Sequence, residues 1–175
     1  MNFAPIILFV YNRPWHTEQT VAGLKKNELA SESDLFIFSD GSKKENDEDV
    51  GKVREYIKTV DGFKSVTIIE RDKNLGLANS VITGVTEIIN KLGKVIVLED
   101  DLVTSKYFLK FTNEALEKYE NEEKVISIHG YIYPVKGNFP ETFFLKGADC
   151  WGWATWRRGW DLFNSDGKEL LKLIQ

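Results

Sequence analysis

The residues best suited to chemistry lie within residues 94–102, which read K-V-I-V-L-E-D-D-L. Residues 95–98 form an unbroken apolar run, which is typical of a strand buried on both faces of a parallel sheet. Glu99, Asp100 and Asp101 follow with no turn residue between them. Three carboxylates at the end of a buried strand repel one another and lose hydration, so a divalent cation would stabilise them, and oxygen ligands suit Mg²⁺ or Mn²⁺. The structural alternative is that these acids begin a surface loop and cap the following helix.

Polar groups also follow two other predicted strands. Residues 5–11 predict a strand that is followed by Arg13, and residues 34–39 predict a strand that is followed by Asp40. In a parallel sheet, these two strands and the strand predicted at residues 95–98 end at the same edge. Ligands bind at that edge in open α/β sheets. The sequence therefore places a guanidinium, one carboxylate and a carboxylate cluster around one crevice.

These groups suit a nucleoside diphosphate that is held by a metal ion. Arg13 can bridge phosphate oxygens with its planar fork of donors. Asp40 can accept hydrogen bonds from a base or a ribose. Asp101, aided by Asp100, can hold the cation that neutralises a diphosphate leaving group. Taken singly, Arg13 could be a surface arginine beside a helix start, and Asp40 the first residue of an Asp-Gly turn.

Hydrophobic periodicity predicts strands and helices that alternate along the chain. That order predicts an α/β fold in which a mostly parallel, Rossmann-like sheet is covered by helices on both faces. The predicted strands are residues 5–11, 34–39, 65–69, 95–98, 124–129 and 143–145. The predicted helices are residues 15–26, 50–60, 77–92 and 105–119, with another that begins within residues 151–160.

Composition narrows the class of function. The 175 residues fit one domain, and 42% hydrophobic residues can build a substantial core. The net charge of −4 argues against nucleic acid as a partner, because phosphate binding favours a basic face. The single cysteine, Cys150, excludes an internal disulfide and a multi-cysteine zinc site, and it fits a reducing compartment. The sequence contains neither a P-loop nor a glycine-rich dinucleotide fingerprint after its first strand.

Neither end of the sequence predicts a transmembrane segment. Residues 3–11 are apolar but too few to span a bilayer. We therefore expect a cytoplasmic protein, and peripheral association with the inner face of the membrane is left open. Residues 168–175 predict an amphipathic helix that ends without a cap. From this we expect residues 1–175 to be a single domain that is truncated at its C-terminus.

A tryptophan-rich stretch at residues 149–160 reads D-C-W-G-W-A-T-W-R-R-G-W. Aromatic faces with small residues between them can form a wall against a sugar ring. Gly152 would let such a ligand approach the backbone beside Trp153. The alternative is a core-packing helix in which Trp156 and Trp160, four residues apart, share the inward side.

Five segments, in this order, resemble glycosyltransferases of the GT-A fold. They are more closely similar to the N-acetylglucosaminyltransferase I group and bacterial family 2 enzymes. The segments are I-L-F-V-Y-N-R at 7–13, F-S-D-G-S at 38–42, N-L-G-L-A-N-S at 74–80, V-L-E-D-D-L at 97–102 and W-G-W-A-T-W at 151–156. The resemblance implies a GT-A nucleotide-sugar-binding domain, a UDP-linked donor, and Mn²⁺ or Mg²⁺.

The resemblance also implies roles for individual residues. Asp101 matches the acid that ligates the metal, while Glu99 and Asp100 match acids that contact the donor sugar and ribose. Asp101 and Glu99 are thus the predicted catalytic acids. Arg13 matches an arginine that approaches the donor phosphates, and Asp40 matches a carboxylate that recognises uracil. The remaining predicted positions are Tyr11 and Asn79 on the donor side, and Gly152 and Trp153 near the acceptor and donor sugar.

The resulting hypothesis is a metal-dependent, inverting hexosyl- or N-acetylhexosaminyltransferase of polysaccharide biosynthesis, acting on a glycan or lipid-linked acceptor. Inverting members use an aspartate or glutamate base after the glycine–tryptophan segment. Asp161 and Asp166 follow that segment but match no family position, so we expect the base beyond Gln175. Two alternatives stay open: a sugar nucleotidyltransferase, and a non-catalytic module that binds nucleotides or glycans.

Overall fold

A computed structural model describes residues 3–174 of the chain. It contains one six-stranded sheet with the strand order β3-β2-β1-β4-β6-β5. The strands are β1 (Ile6–Val10), β2 (Asp34–Ser39), β3 (Ser65–Glu70), β4 (Lys94–Glu99), β5 (Ser127–His129) and β6 (Trp153–Trp156). The helices are α1 (Pro14–Lys25), α2 (Glu48–Ile57), α3 (Leu77–Leu92), α4 (Phe108–Lys118), α5 (Arg157–Trp160) and α6 (Gly167–Leu173), with a short 3-10 helix at Ala30–Glu32.

The sheet separates two hydrophobic cores, because successive side chains of a strand point to opposite faces. Ile6, Leu8 and Val10 of β1 belong to the first core, and Ile7 and Phe9 belong to the second. Residues of α1, α2 and α4 complete the first core, and residues of α3 complete the second. The predicted α/β fold with helices on both faces is confirmed.

Strand register aligns the polar tips that the sequence predicted to meet. β1 is parallel to both β2 and β4, and Val10 lies beside Ser39 while Phe9 lies beside Glu99. β6 is antiparallel to β4, and β5 is antiparallel to β6. The carboxyl end of β5 and the amino end of β6 therefore lie at the same edge of the sheet as the carboxyl ends of β1, β2 and β4.

The predictions for the last third of the chain need correction. Residues 143–145 form no strand, and the strand predicted at 124–129 is confined to Ser127–His129. A helix was predicted to begin within the tryptophan-rich stretch, and α5 does begin there at Arg157, but the strand Trp153–Trp156 before it was not predicted. The open side of β4 explains this, because pairing with β6 satisfies its backbone groups. Trp156 consequently packs in the first core and Trp160 against the second, so the alternative in which the two share an inward side does not hold.

The C-terminal helix begins with a cap that the sequence analysis did not anticipate. The carboxylate of Asp166 accepts hydrogen bonds from the backbone N–H groups of Lys168 and Glu169, which is typical of an N-cap aspartate. Gln175, the last residue of the predicted helix, lies outside the described residues. Within residues 3–174, no helix combines the length and the apolar composition needed to cross a bilayer.

Candidate functional site

Arg13 links the tips of β1 and β4. Its Nη1 atom donates a hydrogen bond of 3.0 Å to Oδ2 of Asp101, and its Nη2 atom donates to Oδ1 of Asp100. Pro14 begins α1 directly after Arg13, as expected of a residue whose φ suits the first helical position. Thr17 of the first turn donates its hydroxyl to the carbonyl of Arg13 at 2.9 Å. The start of α1 thus fixes the backbone from which the guanidinium extends.

The two aspartates that Arg13 contacts have different surroundings. The Asp100 side chain is only 4% exposed, whereas the Asp101 side chain is 42% exposed. Burial raises the pKa of Asp100, and the adjacent guanidinium of Arg13 opposes that rise. The hydroxyl of Thr20 in α1 also donates to the Asp100 carbonyl at 2.8 Å. Asp100 is therefore an internal partner of Arg13, while Asp101 is accessible to a ligand.

Glu99, the last residue of β4, is half-buried beside two other carboxylates. Burial raises the pKa of its carboxyl group, and the charges of Asp101 and Asp100 raise it further. Arg13 lowers it, but the net direction is upward. A cation near Glu99 and Asp101 would relieve this repulsion.

Asp40 connects the end of β2 to the start of α3. Its buried carboxylate accepts backbone N–H bonds from Gly41 at 3.0 Å, Leu75 at 3.0 Å and Gly76 at 3.1 Å. Gly76 precedes the first residue of α3, where the helix dipole favours negative charge. A Cβ on Gly41 would lie 2.4 Å from the backbone carbon of Lys73, so a side chain there would force the two loops apart.

A cleft opens between these loops and the tip of β4. Tyr11 and Lys43 lie on its wall, and the backbone N–H of Lys43 donates to the Tyr11 hydroxyl at 3.3 Å. The cleft is lined by Phe9, Val10, Tyr11, Arg13, Asp40, Lys43, Asn74, Gly76, Leu77, Ser80, Glu99 and Asp100. Five of the predicted donor-side residues are thereby brought together: Tyr11, Arg13, Asp40, Glu99 and Asp100.

Sequence reasoning missed three polar residues of this cleft. Asn74 donates its side-chain N–H to the carbonyl of Gly41 at 2.7 Å, and Ser80 lies one turn into α3. Both belong to the N-L-G-L-A-N-S segment, which was a usable signal. Lys43 stands in an ordinary charged loop, and nothing in its spacing distinguishes it from its neighbours.

Four predicted positions do not line the cleft. Asp101 is one of them, and it lies next to the cleft as the partner of Arg13. Asn79 is exposed, does not line the cleft, and donates its amide to the carbonyl of Leu75 at 3.1 Å. Trp153 is half-buried and stacks on Trp160, with ring centroids 5.8 Å apart. Gly152 is buried with φ of +74°, and a Cβ there would come within 3.2 Å of the Phe108 ring. Gly152 and Trp153 thus lie at the same edge of the sheet as the tip of β4, but Trp153 contributes mainly to the second core.

The acids at the tip of β4 fit one kind of metal site. Within residues 3–174, no three Asp, Glu, His or Cys side chains converge to enclose a cation. Mg²⁺-type ions are, however, commonly held by one or two carboxylates, with substrate phosphates and water as the other ligands. Asp101 suits that arrangement, because it is well exposed and Arg13 uses only its Oδ2 atom. The donor set therefore fits a cation that a bound diphosphate helps to hold.

The sequence pattern of a known family covers most of this chain. Residues 6–163 match the sequence pattern of the family described as "Glycosyl transferase family 2". The chain belongs to glycosyl transferase family 2. Its fold is therefore that of a glycosyltransferase. The narrower resemblance to the N-acetylglucosaminyltransferase I group stays a prediction.

A solved structure of a mannosyltransferase supports the fold of this family 2 member, and a second structure is similar to it more weakly. The mannosyltransferase PcManGT from Pyrobaculum calidifontis, in complex with GDP-Man and Mn²⁺, is 16% identical with a TM-score of 0.55, and the match covers 75% of this chain and 36% of that one. TarS from S. aureus is 16% identical with a TM-score of 0.47, over 69% of this chain and 20% of that one. The chain thus spans about a third of the length of PcManGT. No curated protein sequence matches it.

Proposed function

We propose that this family 2 glycosyltransferase performs metal-dependent, inverting transfer of a hexosyl or N-acetylhexosaminyl group. The donor is a UDP-linked sugar, and the acceptor is a hydroxyl of a glycan or a lipid-linked glycan. The observation that carries this proposal is the accessible carboxylate of Asp101, which pairs with Arg13, a residue that lines the cleft. Family membership favours glycosyl transfer over nucleotidyl transfer.

In this proposal, Arg13 binds the diphosphate and Asp100 positions it. Asp100 is buried and holds one guanidinium nitrogen, so Arg13 stays at the tip of β4 when Asp101 engages another cation. The guanidinium nitrogen released from Asp101 is then free to donate to a phosphate oxygen. A bound Mn²⁺ or Mg²⁺ would supply Lewis-acid stabilisation of the departing diphosphate. Lys43, on the same wall of the cleft, adds positive charge toward the nucleotide.

The nucleoside lies, in this proposal, between Tyr11 and the start of α3. Asp40 already accepts three backbone N–H bonds, so it acts on the nucleoside chiefly by holding the loop of Asn74 and Gly76 in place. The N-terminus of α3 favours an anionic ligand beside it. Glu99 contacts the donor sugar from the far end of the cleft.

Transfer to an acceptor hydroxyl also needs a base, and the two aspartates after the tryptophan-rich stretch are poor candidates. Asp161 ends α5, and Asp166 is occupied as the N-cap of α6. Neither lines the cleft. We therefore assign the base to neither of them.

Isothermal calorimetry with UDP or GDP, each with and without MnCl₂, tests this proposal. We expect Mn²⁺ to strengthen nucleotide binding by the parent protein, and Asp101→Asn to remove at least about tenfold of the affinity measured with Mn²⁺. Glu114→Gln, which changes an exposed acid on α4, is the matched control and should bind like the parent. Thermal unfolding without nucleotide verifies that both variants are folded. Equal Mn²⁺-supported affinity in Asp101→Asn and the parent would remove the metal role, and no nucleotide binding at all would refute the function.

A further inference from the structure

Three exposed aromatic rings contact one another at the edge of the sheet where β5 ends and β6 begins. Tyr131, Tyr133 and Trp151, which we call the ring cluster, are 40%, 54% and 42% exposed. The ring centroid of Trp151 lies 4.8 Å from that of Tyr131 and 5.4 Å from that of Tyr133. The two tyrosine centroids are 5.3 Å apart. Rings that only filled a core would be far less exposed, so this surface is available to a ligand.

The ring cluster is built from two segments that meet beside the end of β4, where Glu99, Asp100 and Asp101 lie. Tyr131 follows the end of β5, and Trp151 precedes the start of β6. The N–H of Gly130 donates to the carbonyl of Gly152 at 2.9 Å, which joins the two segments. A Cβ on Gly152 would lie 3.5 Å from the side chain of Leu98, and Val97 of β4 lies beside Trp153 in the sheet. The loop that carries Trp151 is therefore close to the acids at the tip of β4.

Polar groups accompany the rings. Oδ1 of Asp149 accepts the backbone N–H of Trp151 at 2.9 Å. This bond holds the carboxylate beside the cluster, where its negative charge also raises the pKa of the Tyr133 hydroxyl. Two tyrosine hydroxyls and a carboxylate thus surround an aromatic surface. Such a combination suits a sugar ring, whose C–H face packs on aromatic carbon while its hydroxyls form hydrogen bonds.

The other tryptophans of this region are used differently. The indole N–H of Trp156 donates to the carbonyl of Leu116 at 3.2 Å, and that of Trp160 donates to the Thr86 hydroxyl at 2.9 Å. Both side chains contribute to a hydrophobic core. Among residues 3–174, the indole N–H of Trp151 has no comparable acceptor, so this donor is free to bind a ligand.

We propose that the ring cluster and Asp149 form a binding subsite for one hexopyranose ring of the acceptor. This inference rests on the proposed function, because an acceptor must approach the acids that hold the donor. The sequence predicted that Trp153 contacts the acceptor, but Trp153 stacks on Trp160. The exposed rings of the cluster take that role in this proposal. Asp149 accepts sugar hydroxyls there and orders the backbone of Trp151.

Saturation-transfer NMR and calorimetry with simple glycosides test the subsite directly. The probes are the methyl glycosides of glucose, galactose, mannose and N-acetylglucosamine, with cyclohexanol as an apolar ring that lacks the hydroxyl pattern. We expect at least one glycoside, but not cyclohexanol, to bind the parent. Trp151→Ala should weaken that binding by at least about fivefold, since an aromatic contact of this type contributes about 1 kcal/mol.

Two variants separate ring contact from general disturbance of the loop. Phe139→Ala removes an exposed ring of the same segment that pairs with Phe143 outside the ring cluster, and it should bind like the parent. Asp149→Asn keeps an oxygen for the Trp151 N–H but loses the carboxylate charge, so it should weaken glycoside binding while the melting temperature is unchanged. If Trp151→Ala proves unstable, Tyr133→Phe, which removes only a hydroxyl, replaces it.

The outcomes distinguish this inference from the proposed function. Glycoside binding that is equal in Trp151→Ala and the parent, or absent from the parent, overturns the subsite, whatever the nucleotide does. UDP or GDP binding that fails while glycosides still bind in a Trp151-dependent way refutes the donor site and leaves a glycan-binding surface. Loss of glycoside binding in Phe139→Ala as well as in Trp151→Ala would also overturn the subsite, because the effect would not be specific to the ring cluster.

Discussion

The donor-side cleft and the ring cluster lie along the same edge of the sheet, yet they are held in opposite ways. In the cleft, Arg13 and Asp40 contact partners that are distant in sequence, Asp100 and the backbone of Leu75 among them. In the ring cluster, contacts are between exposed rings on two irregular segments. The first region is fixed before any ligand arrives, whereas the second can adjust to one.

The difference follows from what each side chain loses on leaving water. A buried carboxylate is costly unless it is paired or hydrogen-bonded, so Asp100 and Asp40 must have defined partners. An aromatic ring carries no such requirement and can stay partly exposed at little cost. A cleft built on charges is therefore preorganised, which suits a diphosphate of fixed geometry. A surface built on rings tolerates several ligands, which suits variable glycans.

The largest effect should come from removing the carboxylate that orders the cleft. Asp40→Ala leaves buried N–H groups of Leu75 and Gly76 without their acceptor, and we expect the free energy of unfolding to fall by about 3 kcal/mol. Asp40→Asn keeps one acceptor oxygen and should cost about 1 kcal/mol. Urea denaturation measures both values. Equal losses in the two variants would show that the cleft is not fixed by this acceptor, and the contrast with the ring cluster would fail.

A smaller effect is expected where the two regions join. Gly152→Ala would place a side chain at φ of +74° and within 3.2 Å of the Phe108 ring, which should destabilise the fold by about 2 kcal/mol. Gly51→Ala is the matched control, because a Cβ on this residue of α2 meets nothing within 4 Å. It should instead stabilise by about 0.5–1 kcal/mol through helix propensity. A neutral Gly152→Ala in urea denaturation would mean that the backbone at this junction relaxes freely.

The smallest effect is expected from relieving the charge repulsion at Glu99 in the donor-side cleft. The pKa of Glu99 is raised in the folded state, chiefly by burial. Ionisation of Glu99 therefore lowers the free energy of unfolding as the pH rises from the unfolded-state pKa to the folded-state pKa. At lower pH the carboxyl group is protonated in both states, and this loss is absent. Glu99→Gln should stabilise the metal-free protein at pH 7 by less than about 1 kcal/mol, because the group is only half-buried.

The pH dependence is the control for this prediction. Denaturation in EDTA at pH 7 and at about pH 4 should show the advantage of Glu99→Gln shrink as Glu99 becomes protonated. Glu114→Gln, which alters an exposed acid, should show no such trend. An advantage that is the same at both pH values would exclude charge repulsion at the tip of β4 as its cause.

Local patterns were sufficient for the parallel half of the molecule. Strand β2 and helix α3 have the predicted bounds, and Gly93 ends α3 with φ of +83°. These elements are long, regularly patterned and flanked by turn or cap residues, so their signals are strong. The helix expected in the tryptophan-rich stretch begins at Arg157, but strand β6 within the stretch was missed because the stretch is short. Its small residues and tryptophans fit a helix or a strand equally well, and pairing with β4 decided between them.

The sequence by itself determined the order of strands and helices, and therefore which polar tips share an edge, because parallel connections leave few topologies open. Only the tertiary structure decided which acid is accessible and which is internal. Asp100 and Asp101 are adjacent in sequence, but a turn after β4 directs one carboxylate into the protein and leaves the other in water. Burial depends on contacts with residues far along the chain, and no local pattern encodes those contacts.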